Sequence, residues 1–182
     1  MQPQGYAAGM RGIKSIAIVF LVIGLVALAA PAQALNTTIT DPAGDAAGQG
    51  LDITRATLSN RDHAYKAAIT FVADTPGNVI VAVGTRDGQI FLLISEHHSH
   101  GSDDTFVVDG SGQTVPCAGM SSTWDRPSAV LVLTMPSSCM LDGDYGAVHS
   151  WVLTEQSSGR DVDYAPVNRQ GDIRFTPWIP RG

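Results

Sequence analysis

Positive charge is scarce in this sequence. Its 182 residues include 11 lysines and arginines against 17 aspartates and glutamates, which gives a formal net charge of −6. After residue 34 the only lysine is Lys66. A protein that binds nucleic acid or an anionic membrane through phosphate groups needs a basic patch. We therefore expect no nucleic-acid partner and no polybasic contact with a membrane.

The common catalytic signatures are missing as well. The sequence has no GxSxG nucleophile elbow, no HExxH zinc motif, no GxxxxGK phosphate loop and no glycine fingerprint for a dinucleotide. Glycoside hydrolysis needs a pair of carboxylates, and nothing singles out one pair among the 15 aspartates and two glutamates. The sequence therefore predicts a non-catalytic protein, with a small secreted hydrolase as an alternative.

The N-terminal segment predicts export. Arg11 and Lys14 precede a charge-free apolar run, Ile16–Ala30, which is followed by Ala32-Gln33-Ala34. A positive region, an apolar core and a small-x-small site are the parts of a cleaved signal peptide. The run has 15 residues, whereas an uncleaved membrane anchor needs about 20. We predict that residues 1–34 are a signal peptide and that the secreted protein keeps no stable membrane anchor.

Beyond the leader, the hydrophobic pattern has the period of a β-strand. Alternate residues are apolar from Tyr65 to Ala73, and Val79–Ile94 predicts a hairpin around a type I′ turn at Asp87-Gly88. Further strands are predicted at Leu51–Ser59, Thr105–Val108, Ala129–Met135, Ala147–Leu153 and Ile173–Thr176. Short strands without crossover helices predict a single all-β domain over residues 35–182, an antiparallel, jelly-roll-like β-sandwich.

Cysteine is nearly absent. Cys117 and Cys139 are the only two, so a single intramolecular pairing exists. Their spacing is not that of a CxxC redox or metal motif. In a secreted protein the pair is expected to be oxidised, and a bridge over a loop of this size contributes about 3 kcal/mol to stability. We therefore predict a structural disulfide.

An aspartate-rich segment predicts a calcium site. Asp41 and Asp45 lie beside glycine and proline, and Asp52 follows just before the first strong strand pattern. Calcium prefers six to eight oxygen ligands on irregular backbone. A second acidic stretch, Asp161-Val162-Asp163, could approach the first if the two chain ends meet across the sandwich. The alternative is that these aspartates only form turns.

The densest group of metal-capable side chains is histidine-rich. His97, His98 and His100 follow the apolar run at Ile90–Ile94 and could supply imidazole nitrogens to Zn²⁺ or Cu²⁺. The alternative interpretation is an exposed polar loop. If the histidines bind metal, the chain would be a metal-handling protein.

Two stretches resemble known families. The segment DPAGDAAGQGLDITRATLSN, residues 41–60, is similar to the opening of DOMON-like and family 9-like carbohydrate-binding β-sandwiches. That resemblance implies a carbohydrate ligand and calcium ligands at Asp41 and Asp45, with Asp52 as a weaker match. The second half resembles small exported proteins of high-GC Gram-positive bacteria, a group without an assigned activity. The matching positions are Cys117, Trp124-Asp125, Cys139, Asp144–Ala147, Leu153–Glu155, Asp163–Pro166 and Trp178–Gly182.

Aromatic residues offer a further binding feature. A sugar ring could stack on a platform built from some of Trp124, Trp151, Trp178, Tyr145 and Tyr164. The alternative is that they pack in the core or anchor the C-terminal tail. Taken together, the sequence predicts an exported, non-catalytic β-sandwich that binds a ligand, with cell-envelope carbohydrate favoured. The two alternatives are the metal-handling protein and the secreted hydrolase.

Overall fold

Two antiparallel β-sheets make up the part of the chain that the computed structural model describes, residues 35–156 and 159–182. The predicted leader lies outside these residues. In the described ranges helical structure is limited to two 3-10 turns, Ser137–Cys139 and Leu141–Gly143. No helix there has the length and apolarity to cross a membrane. The predicted all-β fold is confirmed.

Each sheet has a simple strand order. The five-stranded sheet runs β1 (Asn36–Thr40), β2 (Ile53–Asn60), β3 (Ala64–Phe71), β9 (Val130–Pro136) and β8 (Ser121–Asp125). The six-stranded sheet runs β11 (Asp163–Ala165), β10 (Val148–Glu155), β4 (Gly77–Thr85), β5 (Ile90–His97), β6 (Asp104–Asp109) and β7 (Thr114–Val115). Consequently β1 is an edge strand of the five-stranded sheet and β11 is an edge strand of the six-stranded sheet. In the chain, β1 is the first strand of the described residues and β11 is the last.

The core lies between the sheets, where alternate residues of each strand are buried. In β3 the buried residues are Tyr65, Ala67, Ile69 and Phe71, the face that the period-two pattern predicts. The Tyr65 hydroxyl is buried with them and donates a hydrogen bond to Ser150 Oγ of β10 (2.8 Å), which satisfies its polar end across the sheets. The largest fully buried side chains also include Leu51, Ile53, Leu58, Leu93, Leu131, Leu133, Met135, Met140 and Ile179.

The β4–β5 hairpin is confirmed, but the predicted type I′ turn is wrong. Gly88 has a φ of +86°, whereas Asp87 keeps a negative φ. The Gly88 N–H donates to the Thr85 carbonyl (3.1 Å), which is typical of a type I turn followed by a left-handed glycine. The Asp87 carboxylate accepts a hydrogen bond from the Thr85 hydroxyl. This local bond holds Asp87 in a conformation that a type I′ turn does not use.

The C-terminal tail replaces a predicted strand. Ile173–Thr176 makes a single bridge, between Ile173 and Val167, and is otherwise irregular. Its extended path ends at Ile179, which is buried and bridges Val148 of β10. Pro177 and Pro180 lack the N–H groups that a continuous ladder needs, which is why the tail packs on the sandwich instead of pairing along it.

The disulfide is confirmed. Cys117 and Cys139 are joined, with a Cα–Cα distance of 5.1 Å. The bridge connects the loop before β8 to the 3-10 turn after β9. Because β8 is an exposed edge strand with a short ladder to β9, the covalent link limits its separation from the sheet.

Candidate metal and ligand sites

An acidic cluster lies where the edges of the two sheets meet. Asp41 directly follows β1, Asp45 lies in the next loop, and Asp163 begins β11. One carboxylate oxygen of each lies within 4.8 Å of the other two. Asp41 and Asp163 are buried, at 7% and 5% exposed, whereas Asp45 is exposed. The cluster therefore has two buried carboxylates and one side open to solvent.

Backbone groups hold the cluster in place. Asp163 Oδ2 accepts a hydrogen bond from the N–H of Ile53 in β2, and Oδ1 accepts one from Tyr164 (both 2.7 Å). Asp52 Oδ2 accepts a hydrogen bond from the Gly44 N–H (2.6 Å), which closes the loop that carries Asp45. Asp163 thus connects the six-stranded sheet to the five-stranded one, and its carboxylate orientation is set from both sides.

The electrostatics of the cluster are unfavourable for carboxylates alone. Burial, and then the neighbouring charges of Asp163, Asp45 and Asp52, raise the pKa of Asp41 to about 7. The pKa of Asp163 is raised as well, chiefly by burial. Buried Oδ2 of Asp41 and Oδ1 of Asp52 have no hydrogen-bond partner. The ion pairs among the described residues all involve other carboxylates. No basic side chain of these residues therefore neutralises the acidic cluster.

The structure brings together most of the predicted calcium ligands. Asp41 and Asp45 meet, and Asp163 joins them because β1, β2 and β11 lie at the meeting edge of the sheets. Asp52 is close enough to raise the pKa of Asp41 but lies outside the group of three. Asp161 packs instead against Gly48, whose φ is +87° and where a Cβ would collide with the Asp161 carboxylate.

A second cluster surrounds His97, which is 3% exposed. Its Nε2 lies 2.9 Å from Asp74 Oδ1, and its Nδ1 lies 3.1 Å from Asp103 Oδ1. The imidazole stacks on the Trp124 indole at a centroid distance of 3.9 Å. Arg126 lies 3.8 Å from an oxygen of each aspartate. Both ring nitrogens of His97 are therefore engaged by carboxylates inside the protein.

The three loop histidines do not converge on one point. His97 is enclosed as described, and His100 is exposed. His98 lies instead with Glu96 and Asp104, and a ligand atom of each of these three lies within 4.8 Å of the others. Glu96 and Asp104 stand at the two ends of the metal-capable stretch in the sequence, but only the three histidines were predicted as ligands. The proximity of the two carboxylates could have been inferred from the predicted strands at Ile90–Ile94 and Thr105–Val108. If these two strands pair as an antiparallel hairpin, residues 96 and 104 lie side by side.

Aromatic side chains cluster on the outer face of the six-stranded sheet. The His149 ring lies between Phe175 and Trp178, at centroid distances of 3.9 and 4.1 Å. Trp151 contacts Phe175 at a tilted 6.4 Å, and the Arg86 guanidinium lies over Trp178. Phe175 is 37% exposed and Trp178 is 40% exposed. The cluster, which we call the aromatic face, combines partly exposed, mutually stacked rings with a cation that lies over Trp178.

Only part of the predicted aromatic platform lies on this face. Trp151 and Trp178 belong to it, and Tyr164 pairs with Leu153 one strand away. Trp124 stacks on His97 and Phe71 instead, and Tyr145 is buried beneath Arg181. Phe175 was missed, because the sequence analysis assigned it to a strand rather than to a tail that lies over β10.

Comparisons with known proteins do not place the chain in a family. It matches no protein-family model, no curated protein and no solved structure. The fold and the clusters described above are therefore the basis for a functional proposal.

Proposed function

We propose that this chain is an exported, non-catalytic β-sandwich that binds Ca²⁺ at the acidic cluster and binds a ligand, favoured to be carbohydrate, at the cell envelope. The leader pattern and the single disulfide support export, because disulfides persist in oxidising compartments. The observation that carries the calcium proposal is the buried Oδ2 of Asp41, which has no partner and points to a missing positive charge.

The donor chemistry of the cluster fits calcium. Asp41, Asp45 and Asp163 supply carboxylate oxygens from two sheets, and the second oxygen of Asp52 is buried and unpartnered nearby. Calcium accepts an irregular set of six to eight oxygens, part of them from water, whereas magnesium demands a near-ideal octahedron. The exposed position of Asp45 leaves an entry path for the ion. A bound Ca²⁺ would offset the repulsion between the buried carboxylates.

Calcium is expected to stabilise the purified protein against unfolding. Binding to the folded state alone adds about 2.7 kcal/mol at a free calcium concentration 100 times the Kd. Thermal unfolding followed by circular dichroism in EDTA, in Ca²⁺ and in Mg²⁺ measures the effect, with the largest rise in Tm in Ca²⁺. Asp41→Asn is expected to abolish the calcium response, and the exposed Asp125→Asn is the matched control that keeps it. If Ca²⁺ raises the Tm of wild type and of Asp41→Asn equally, the ion does not bind at the acidic cluster.

The aromatic face favours carbohydrate as the ligand. Sugar rings pack on aromatic side chains, and Trp178 and Phe175 are each partly exposed. His149 covers one ring face of each and Arg86 lies over Trp178, so a sugar would contact the exposed remainder of the two rings beside these polar groups. The resemblance of the Asp-rich segment to carbohydrate-binding sandwiches supports the same ligand class. On this proposal the two sites are separate, with the ion on the sheet edges and the sugar on the outer face.

Polysaccharide binding is expected to depend on Trp178. Losing an aromatic contact worth about 1.4 kcal/mol weakens binding about ten-fold, so Trp178→Ala should reduce retention on insoluble cell-wall polysaccharides by that factor. The assay is a pull-down with and without Ca²⁺. Val132→Ala, a change at a similarly exposed apolar position on the other sheet, is the control. Absence of retention of the wild-type protein on a broad polysaccharide panel, in both conditions, would refute the carbohydrate proposal and leave the calcium proposal standing.

A further inference from the structure

Two carboxylates lie opposite each other on neighbouring strands, on the outer face of the six-stranded sheet. Glu96 of β5 and Asp104 of β6 are direct partners in the antiparallel register, so their side chains lie on the same side of the sheet. Like charges in directly opposed positions destabilise a sheet. Among the described residues, neither carboxylate forms an ion pair with a lysine or an arginine.

His98 lies beside this pair. Its Nε2 is 3.7 Å from Asp104 Oδ2, close to the separation of about 3.4 Å expected for two ligands on one tetrahedral zinc ion with bonds of about 2.1 Å. A ligand atom from each of Glu96, His98 and Asp104 lies within 4.8 Å of the others.

The backbone of His98 is fixed on both sides. Its N–H donates to Asp103 Oδ1 (2.9 Å), and its carbonyl accepts a hydrogen bond from the Arg126 guanidinium (3.1 Å). Asp103 is in turn bonded to the buried His97. The His97 cluster therefore fixes the backbone that carries the His98 imidazole. Hydrogen bonds of this kind, outside the ligands themselves, orient the side chains that bind a metal.

Space for further ligands lies next to two of the three side chains. A cavity of about 350 Å³ is lined by Glu96 and His98 together with Asn78 and His100. Three protein ligands with an open position filled by water are typical of zinc sites that exchange ligands. One imidazole with two carboxylates also distinguishes this site from the acidic cluster, because nitrogen donors favour zinc and its neighbours over calcium.

We propose that Glu96, His98 and Asp104 form a binding site for a divalent transition metal, with Zn²⁺ as the ion of reference. The site is separate from the calcium cluster and does not depend on it. This ligand set differs from the predicted set of three loop histidines, because His98 is the only one of the three that lies with the carboxylates. The ion neutralises the opposed carboxylates and joins β5 to β6 at the end of their ladder.

Zinc titration of the purified protein, prepared without a histidine tag and in saturating Ca²⁺, tests the proposal. Calorimetry is expected to show one Zn²⁺ per chain, and Co²⁺ is expected to give a visible absorption band at the same stoichiometry. His98→Ala and Asp104→Asn should each weaken Zn²⁺ binding at least ten-fold and remove the Co²⁺ band. Their far-ultraviolet circular dichroism spectrum and cooperative thermal unfolding without Zn²⁺ should stay those of wild type, which shows that the variants are folded.

His63→Ala is the matched control, an exposed histidine in the turn between β2 and β3 that lies outside this cavity and its lining. It is expected to bind Zn²⁺ within two-fold of wild type, and so is Asp41→Asn, which changes the calcium cluster. Three outcomes would overturn the proposal: absence of stoichiometric Zn²⁺ binding, unchanged affinity in His98→Ala, or a loss of affinity confined to His63→Ala.

Discussion

His97→Ala is expected to be the most destabilising of the histidine substitutions, by about 3–5 kcal/mol. The Nε2 of His97 lies 2.9 Å from Asp74 Oδ1 and its Nδ1 lies 3.1 Å from Asp103 Oδ1, so a carboxylate faces each nitrogen of the buried ring. His97→Ala removes this partner from two partly buried carboxylates and leaves them only the charge of Arg126, which lies 3.8 Å from an oxygen of each; the loss of such a buried polar network falls in the stated range. The stacking contact with Trp124 is lost as well.

Urea unfolding of the purified protein at neutral pH measures this effect. His100→Ala, a change at an exposed position in the following loop, is expected to alter the free energy of unfolding by less than about 0.5 kcal/mol. Adding Asp74→Asn to His97→Ala should recover part of the loss, because it removes one of the uncompensated charges. If His97→Ala unfolds at the same urea concentration as the control, the charge group does not stabilise the fold.

The sheets were predictable because their strands keep a strict alternation. In β3 apolar residues occupy every buried position, and in the β4–β5 hairpin they occupy all but those of Thr85, Ser95 and His97. The strands that the sequence analysis missed lack this signal: β1 reads Asn-Thr-Thr-Ile-Thr and β8 reads Ser-Ser-Thr-Trp-Asp, each with a single large apolar residue. Both are edge strands that bury little surface, so the ladder to a neighbour, which the sequence does not encode locally, decides their conformation.

The calcium cluster was predictable only in part. Aspartates beside glycines indicated Asp41 and Asp45, but Asp163 lies more than 100 residues further along the chain. Its approach depends on the strand order, which places β11 next to β10 and against the start of β2. The approach of Asp163 to Asp41 was therefore predicted only on the condition that the two chain ends meet. Hydrophobic period identifies strands but does not specify which edges of the two sheets lie together.

The His97 cluster shows a different limit. Asp74 lies 23 residues before His97, in a loop that carries no motif. Trp124 comes from the other sheet, and its indole N–H donates to Ser95 of β5 (3.2 Å). A run of histidines indicated metal binding, but burial of one of them could be read only from the packing of β8 over β5. The physical environment of each imidazole, rather than their spacing, separates His97 from His98.

The metal-free protein is expected to lose stability as the pH rises from about 4 to about 7. The unfolded carboxyl of Asp41 ionises near its ordinary pKa of 3.8, whereas in the folded protein burial and neighbouring charges raise that pKa to about 7. Between these values the folded state binds more protons than the unfolded state, so each pH unit removes up to about 1.4 kcal/mol. Asp163, whose pKa is also raised, acts in the same direction.

Thermal unfolding in EDTA at pH 5 and at pH 8 measures this loss, with the higher Tm expected at pH 5. Asp41→Asn keeps a neutral side chain at both pH values and should therefore remove most of the difference, whereas Asp125→Asn should leave it unchanged. Saturating Ca²⁺ is expected to raise the Tm at pH 8 more than at pH 5, because the ion binds the ionised carboxylates that the proton otherwise occupies. An equal pH difference in wild type and in Asp41→Asn would show that other groups, not the acidic cluster, set the pH dependence of stability.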